Sequence, residues 1–201
     1  IKYTDYKQYY LRINSDFNAL KGKLKFGENL QVTDGIQRPM GNVQGGTALG
    51  FAFIDLSILP VYAEDGSFAG PVGSGFSNRM NALHTAELTK NWKTYDKELY
   101  GNIHLEFSPI KNLLFRSSFG VDYQSNTANQ INPTFQEGFL SSLVNNYSVT
   151  SSQNIDLSWY NTLEYKLEKG KHRANILAGM EASSFDNPTQ YSYKEGFLIQ
   201  T

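Results

Sequence analysis

The chain has 201 residues, 40% hydrophobic, 14% aromatic and 18% charged, with a formal net charge of −1 and no cysteine. This balance is not that of a disordered chain, and the lack of any Lys and Arg cluster excludes a nucleic-acid surface, whose phosphates demand concentrated positive charge. Disulfides, cysteine metal sites and a cysteine nucleophile are excluded too, and no window of about 18 apolar residues reads as a membrane-spanning helix.

The first residue is Ile1 and no secretory signal is present, so a leader is expected upstream and the chain reads as a piece of a longer polypeptide. From Tyr9 the odd positions run Tyr9, Leu11, Ile13, Ser15, Phe17 and Ala19, while the even ones are mostly polar. A period of two over this length predicts a strand with one face in an apolar medium and the other in water. Leu20-Lys-Gly-Lys23 is a short turn, after which Leu24, Phe26, Leu30 and Val32 alternate with polar residues. Glu28 falls on the apolar face, where a bulge or a place near the water boundary would accommodate it.

Residues 34–85 read as a long connection rich in Gly, Pro and Ser. It holds a short helix within 47–59 and a strand entering a turn over Pro60-Val-Tyr-Ala-Glu-Asp-Gly66. A polar, strand-prone stretch over 87–96 leads into a central hairpin. There Leu99, Ile103, Leu105 and Phe107 face one way, and after Ser108-Pro-Ile-Lys-Asn112 the residues Leu113, Phe115, Phe119, Val121 and Tyr123 do the same. Proline cannot donate to a central ladder, so the chain turns there. A second long connection, 125–153, is dominated by Asn, Ser, Thr and Gln. The third hairpin carries Ile155, Leu157, Trp159, Leu163, Tyr165 and Leu167, then Ala174, Ile176, Ala178, Met180 and Ala182, with its turn at Glu168-Lys-Gly-Lys171. A last loop is expected from Asp186-Asn-Pro188.

The fold class is therefore all-β: an antiparallel segment of a transmembrane β-barrel with about six long strands in three hairpins. Short turns lie at one end and long loops at the other, which is the outer-membrane pattern of short periplasmic turns and long extracellular loops. A soluble glycan-binding β-sandwich is the rival, with shorter strands and no systematic alternation of connection length. Six strands do not close a membrane barrel, so the whole chain, 1–201, is read as part of one barrel domain whose remaining wall lies elsewhere.

His84, His104 and His172 show no ligand spacing, and His104 sits on a polar strand face suited to a hydrogen bond, so no metal is expected. Glu64-Asp-Gly66 lacks the alternating oxygens of a calcium loop and reads as a turn. The Asn146-Tyr-Ser148 sequon is read as chance. No pair of carboxylates converges on one bond, so catalysis is not supported and no cofactor is implied. Tyr9, Phe17, Phe26, Trp92, Tyr95, Phe107, Tyr123, Trp159 and Tyr165 fall mainly toward strand ends, as interface anchors would.

Several stretches resemble the SusC/RagA family of TonB-dependent outer-membrane transporters. These are Leu59-Pro-Val-Tyr-Ala-Glu-Asp-Gly-Ser-Phe68, the strand-turn-strand of 100–123 with Pro-Ile-Lys at its turn, Asn161-Thr-Leu-Glu-Tyr165, Lys171-His172 and Leu177-Ala-Gly-Met-Glu181. The resemblance implies import of an oligosaccharide or peptide across the outer membrane of a Gram-negative bacterium, through a lipid-embedded barrel of about 22 strands. It also implies a SusD-like surface lipoprotein as lid and a TonB complex as energy source, acting through an N-terminal part absent from these residues. Under it, Tyr62, Phe68, Phe76, Trp92 and Phe135 become candidates for substrate or lid contacts, with packing of their own loops as the alternative.

Overall fold

A computed structural model describes residues 2–73 and 78–198. In chain order the elements are β1 (Asp5–Ala19), β2 (Leu24–Arg38), β3 (Asn42–Val43), β4 (Gly46–Thr47), α1 (Ala48–Ile54), α2 (Ala82–Leu88), β5 (Lys93–Phe107), β6 (Leu113–Asn132), β7 (Phe135–Glu137), β8 (Leu140–Ser142), β9 (Asn146–Lys169), β10 (His172–Asp186) and β11 (Thr189–Glu195). One antiparallel sheet runs β1-β2-β5-β6-β9-β10, and β11 also pairs with β9. Among the described residues the sheet is open, with β1 at one edge and β10 and β11 at the other.

Residues directly opposite on neighbouring strands share a face. The register stacks Leu11, Val32, Leu99, Tyr123 and Ile155 in one row and Phe17, Phe26, Leu105, Ser117 and Asn161 in another, so the apolar positions of six strands form one band. Its side chains stay open: Phe17 is 60% exposed, Ile103 48% and Trp159 45%. No second sheet or helix among the described residues covers them, as a sandwich would require. On β6 the band runs from Leu113 to Tyr123, about 33 Å along the strand at about 3.3 Å per residue, or about 25 Å of depth at a tilt of about 40°. That matches the apolar height of an outer-membrane barrel wall.

The three short turns lie together at one end. Between β9 and β10 only Gly170 and Lys171 intervene, and Gly170 takes φ +62°, which a tight hairpin demands and glycine supplies without steric cost. Neighbouring turns are stitched by Ser108 N–H to Lys23 O (2.7 Å) and Lys166 N–H to Asn112 O (2.9 Å).

At the other end the strands outlast the band. Residues 125–132 of β6 and 146–153 of β9, expected as loop, pair throughout. β11 keeps the register of β10 beside β9, because Asp186 faces Ile155 and Thr189 faces Ser152. The loop expected from Asp186 is thus a two-residue interruption at Asn187 and Pro188, where proline withholds one ladder hydrogen bond. Polar residues occupy both faces of these extensions, so the period-two signal that marks the band is lost there although the pairing continues.

Three local expectations change. Glu28 is no bulge: its register with Ser15 and Ile103 is regular, it lies in the middle of the band, and it accepts a hydrogen bond from Ser15 Oγ (3.0 Å). Trp159 is likewise mid-band, its indole N–H donating to Ser117 Oγ (3.0 Å), so it is not a rim anchor. Part of the stretch expected as strand, 87–96, is the end of helix α2, begun by Asn81, whose side chain accepts from the Leu83 and His84 N–H groups.

Candidate functional site

The face opposite the apolar band carries the polar side chains. Three adjacent rows read Arg12, Gln31, Tyr100, Asp122, Asp156; then Asn14, Asn29, Asn102, Gly120, Ser158; then Asp16, Gly27, His104, Ser118, Tyr160. Asn29 Nδ2 donates to Asn102 Oδ1 (3.0 Å), and His104 Nε2 lies 3.6 Å from Asp16 Oδ1. That approach spans the whole width of β2 because residue 27 is glycine: a Cβ there would stand 2.4 Å from both Asp16 Oδ1 and His104 Cε1. A shallow groove of about 610 Å³ runs over these rows, lined by Arg12, Asn29, Tyr100, Asn102, Asp122 and Tyr160 among others. A second, of about 350 Å³, continues toward the long-connection end past Thr33, Asp96, Glu98, Gln124, Asn126 and Ser152. Amides, hydroxyls and tyrosines dominate, with charges of both signs dispersed among them. Such a surface offers donors and acceptors to a polar solute without holding it by one strong charge.

The two long connections fold against each other at the far end. Phe51, Met80 and Leu88 form a small core against which Val43, Ala82, Phe135 and Leu140 pack, so residues of 39–92 and 133–145 share one interior. Helix α1 begins at Thr47, whose hydroxyl accepts from Gly50 N–H (3.1 Å), and it turns Phe51 inward. Glu137 links the two connections: its side chain is fully buried, Oε1 accepts from Asn81 N–H (2.6 Å), and Oε2 pairs with His84 Nδ1. Gly70 makes room for it, since a Cβ there would lie 2.5 Å from Glu137 Cγ. Nearby, burial pushes the Asp55 carboxyl above the usual carboxylate range, with the Glu137 charge adding to the shift against a hydrogen bond from the Ala82 N–H.

Of the five aromatic candidates, three gather around His84. Phe68 stacks on its ring at 4.4 Å, Phe135 meets it edge-on at 5.8 Å, and Tyr62 packs on Phe68 at 5.3 Å. Tyr62, 52% exposed, is the open end of that chain of rings. Trp92 stands apart, buried, with its indole N–H on Ile131 O (3.1 Å), where it ties the start of β5 to β6. Phe76 lies outside the described residues. Residues 60–66 form a bend closed by the Tyr62–Phe68 bridge, and Asp65 Oδ1 accepts from the Ser67 N–H and hydroxyl (2.9 and 2.6 Å), which holds its carboxyl below the usual range. Among the described residues no three metal-ligating side chains cluster. The sequence reading passed over Glu137, which has no neighbour in the chain that would mark it, and left Tyr100 and Tyr160 unselected although their alternation already put them on the polar face.

No protein-family model matches the chain. It is 29% identical over 186 residues to TonB-dependent receptor P26 of Formosa agariphila, a match covering 89% of this chain and 18% of that protein. In structure it is similar to the RagAB peptide importer in its closed-closed state (TM-score 0.75, 19% identity, 98% of this chain and 23% of that one) and in its open-open state (TM-score 0.74, 19% identity, 98% and 22%). A further structure of the RagAB peptide transporter gives a TM-score of 0.72 at 18% identity. The chain thus spans about a fifth of the length of the proteins it matches. The chain is similar in sequence to a named TonB-dependent receptor and shares its fold with part of the RagAB structures.

Proposed function

We propose that residues 1–201 form part of the wall and outer loops of one transmembrane β-barrel domain, in a TonB-dependent importer of oligosaccharides or peptides in the outer membrane of a Gram-negative bacterium. The observation that carries this reading is the predominantly apolar band, about 25 Å deep, on one face of a six-strand sheet whose other face is polar. In this reading the band meets lipid, the polar face looks into the lumen, the stitched turns lie in the periplasm, and the joined connections stand outside the cell. A SusD-like surface lipoprotein would cover the outer end, and a TonB complex would act through a part of the protein beyond these residues. The relatives are named as a receptor and as transporters, and we read the chain as transport machinery rather than an enzyme. Tyr62, with Phe68 and Phe135 behind it, is the candidate for touching lid or cargo. Trp92 is read instead as packing, because its ring is buried and its N–H taken.

The test is uptake of fluorescent oligosaccharides and peptides by cells with and without the gene and with and without a working TonB. Uptake of one class that needs both is the expected result. Uptake that needs the gene but not TonB would replace the importer with a passive porin. Release of the protein from membranes by carbonate without detergent would restore the soluble sandwich.

A further inference from the structure

On β11, Tyr191 and Tyr193 present two exposed rings on one side of the strand, 65% and 51% exposed, with centroids 6.5 Å apart and planes within 16° of parallel. Register places them on the polar side of the sheet: Tyr191 faces Thr150 and Tyr193 faces Ser148, on the same side of β9 as Asn154, Asp156 and Ser158. Following the rows inward, Thr150 faces Ala128, Ser148 faces Gln130, and the row below joins Thr189, Ser152, Asn126 and Asp96. Ser152, Asn126 and Asp96 line the 350 Å³ groove, so the tyrosine pair stands directly beyond its mouth on the extension above the apolar band. Tyr193 is held in place by its hydroxyl, which donates to Glu195 Oε2 (2.8 Å).

Large flat rings exposed to water are costly unless something covers them, and these two lie on a strand rather than on a flexible loop, with their planes nearly parallel. A pyranose has one face of C–H groups, which packs on the negatively polarised face of an aromatic ring, and a rim of hydroxyls, which needs neutral donors and acceptors. Both requirements meet here: two rings in sequence, with Thr150 and Gln130 in their own rows and Asn126 in the next. We propose that Tyr191 and Tyr193 form a stacking platform for a neutral oligosaccharide, seating adjacent sugar units at the mouth of the polar groove. The proposal deepens the importer reading and rests on it for the direction in which the groove leads. A peptide is the other outcome that the test distinguishes.

The experiment is calorimetric titration of the whole purified protein in detergent with three neutral hexasaccharides (α-1,4-, β-1,4- and β-1,3-linked glucose) and with a neutral hexapeptide. At least one glycan is expected to bind. The double variant Tyr191→Ala/Tyr193→Ala should weaken it tenfold or more, while Tyr191→Phe/Tyr193→Phe should keep it within about threefold, because the rings remain. Tyr9→Ala, an exposed tyrosine on the opposite face of β1, serves as a control that leaves binding unchanged. Unchanged affinity in the double alanine variant overturns the platform, as does failure of all three glycans to bind the parent protein, or equal sensitivity of the hexapeptide to the alanine pair. Uptake in cells separates the two readings. Loss of glycan binding in a protein whose uptake never needed TonB sinks the importer and leaves the platform, and TonB-dependent uptake untouched by the alanine pair does the reverse.

Discussion

Glu137 and His84, 53 residues apart in the chain, meet in a buried pair that joins the two long connections. The same carboxylate receives the Asn81 N–H that opens α2, so one side chain supports both the helix start and the link. Removing one member of a buried hydrogen-bonded pair leaves the other unsatisfied, at a cost of about 1–3 kcal/mol. Glu137→Ala is therefore expected to lower the local stability of residues 39–92 and 133–145 by that order while the sheet keeps its own. Hydrogen exchange of α2 amides against β6 amides checks it, and equal loss in both elements would contradict a local role.

Ile103 and Phe119 face each other across β5 and β6 in the middle of the apolar band, whereas Asn102 and Ser118 point to the polar side. Arg at Ile103 or Phe119 should cost about 2–4 kcal/mol in a bilayer, and Arg at Asn102 or Ser118 clearly less. Denaturant unfolding from vesicles measures the contrast. Equal costs at all four positions would mean that lipid does not bathe the face assigned to it.

Gly101 and Gly27 are both crowded, but by different atoms. A Cβ at Gly101 would lie 2.2 Å from the backbone oxygen of Asn29, which cannot move without breaking the ladder between β2 and β5. At Gly27 the obstacles are the ends of two side chains. Overpacking of the first kind costs on the order of 1–3 kcal/mol. Gly101→Ala should thus be the more destabilising in the same unfolding measurement, and Gly27→Ala should chiefly part His104 from Asp16.

Asp55 has its carboxyl pushed above the ordinary range, chiefly by burial, so folding favours its protonated form. A group with a raised folded pKa contributes stability that is present in acid and lost as pH rises through that raised value. At neutral pH its charge therefore opposes the fold of the joined connections. Asp55→Asn should increase exchange protection of α1 and α2 at neutral pH, and the gain over the parent should fade as pH drops into the carboxylate range. A gain independent of pH would show that charge is not the cause.

How much of this was legible beforehand depends on what each residue meets. The six strands of the band, their faces and their three turns could be read from residues 9–33, 99–124 and 155–182. A strand between lipid and water writes its surroundings into every second residue, and that pattern is local. Above the band both faces carry polar residues, so 125–132, 146–153 and 189–195 read as loop, and only pairing with a neighbouring strand shows them to be sheet. Glu28 and Trp159 were placed at rims by the habits of their residue types, while their depth is set by register.

The sequence alone determined the class of the protein and the side of each strand that shuns water, because alternation is a property of one strand in one environment. Tertiary structure decided which distant residues meet: that Glu137 finds His84, that Phe68 and Phe135 share its ring, and that Tyr191 and Tyr193 stand beyond the mouth of the polar groove. The physical reason is that these contacts arise from loop closure and strand register, which bring together residues whose near neighbours in the chain carry no trace of the partner.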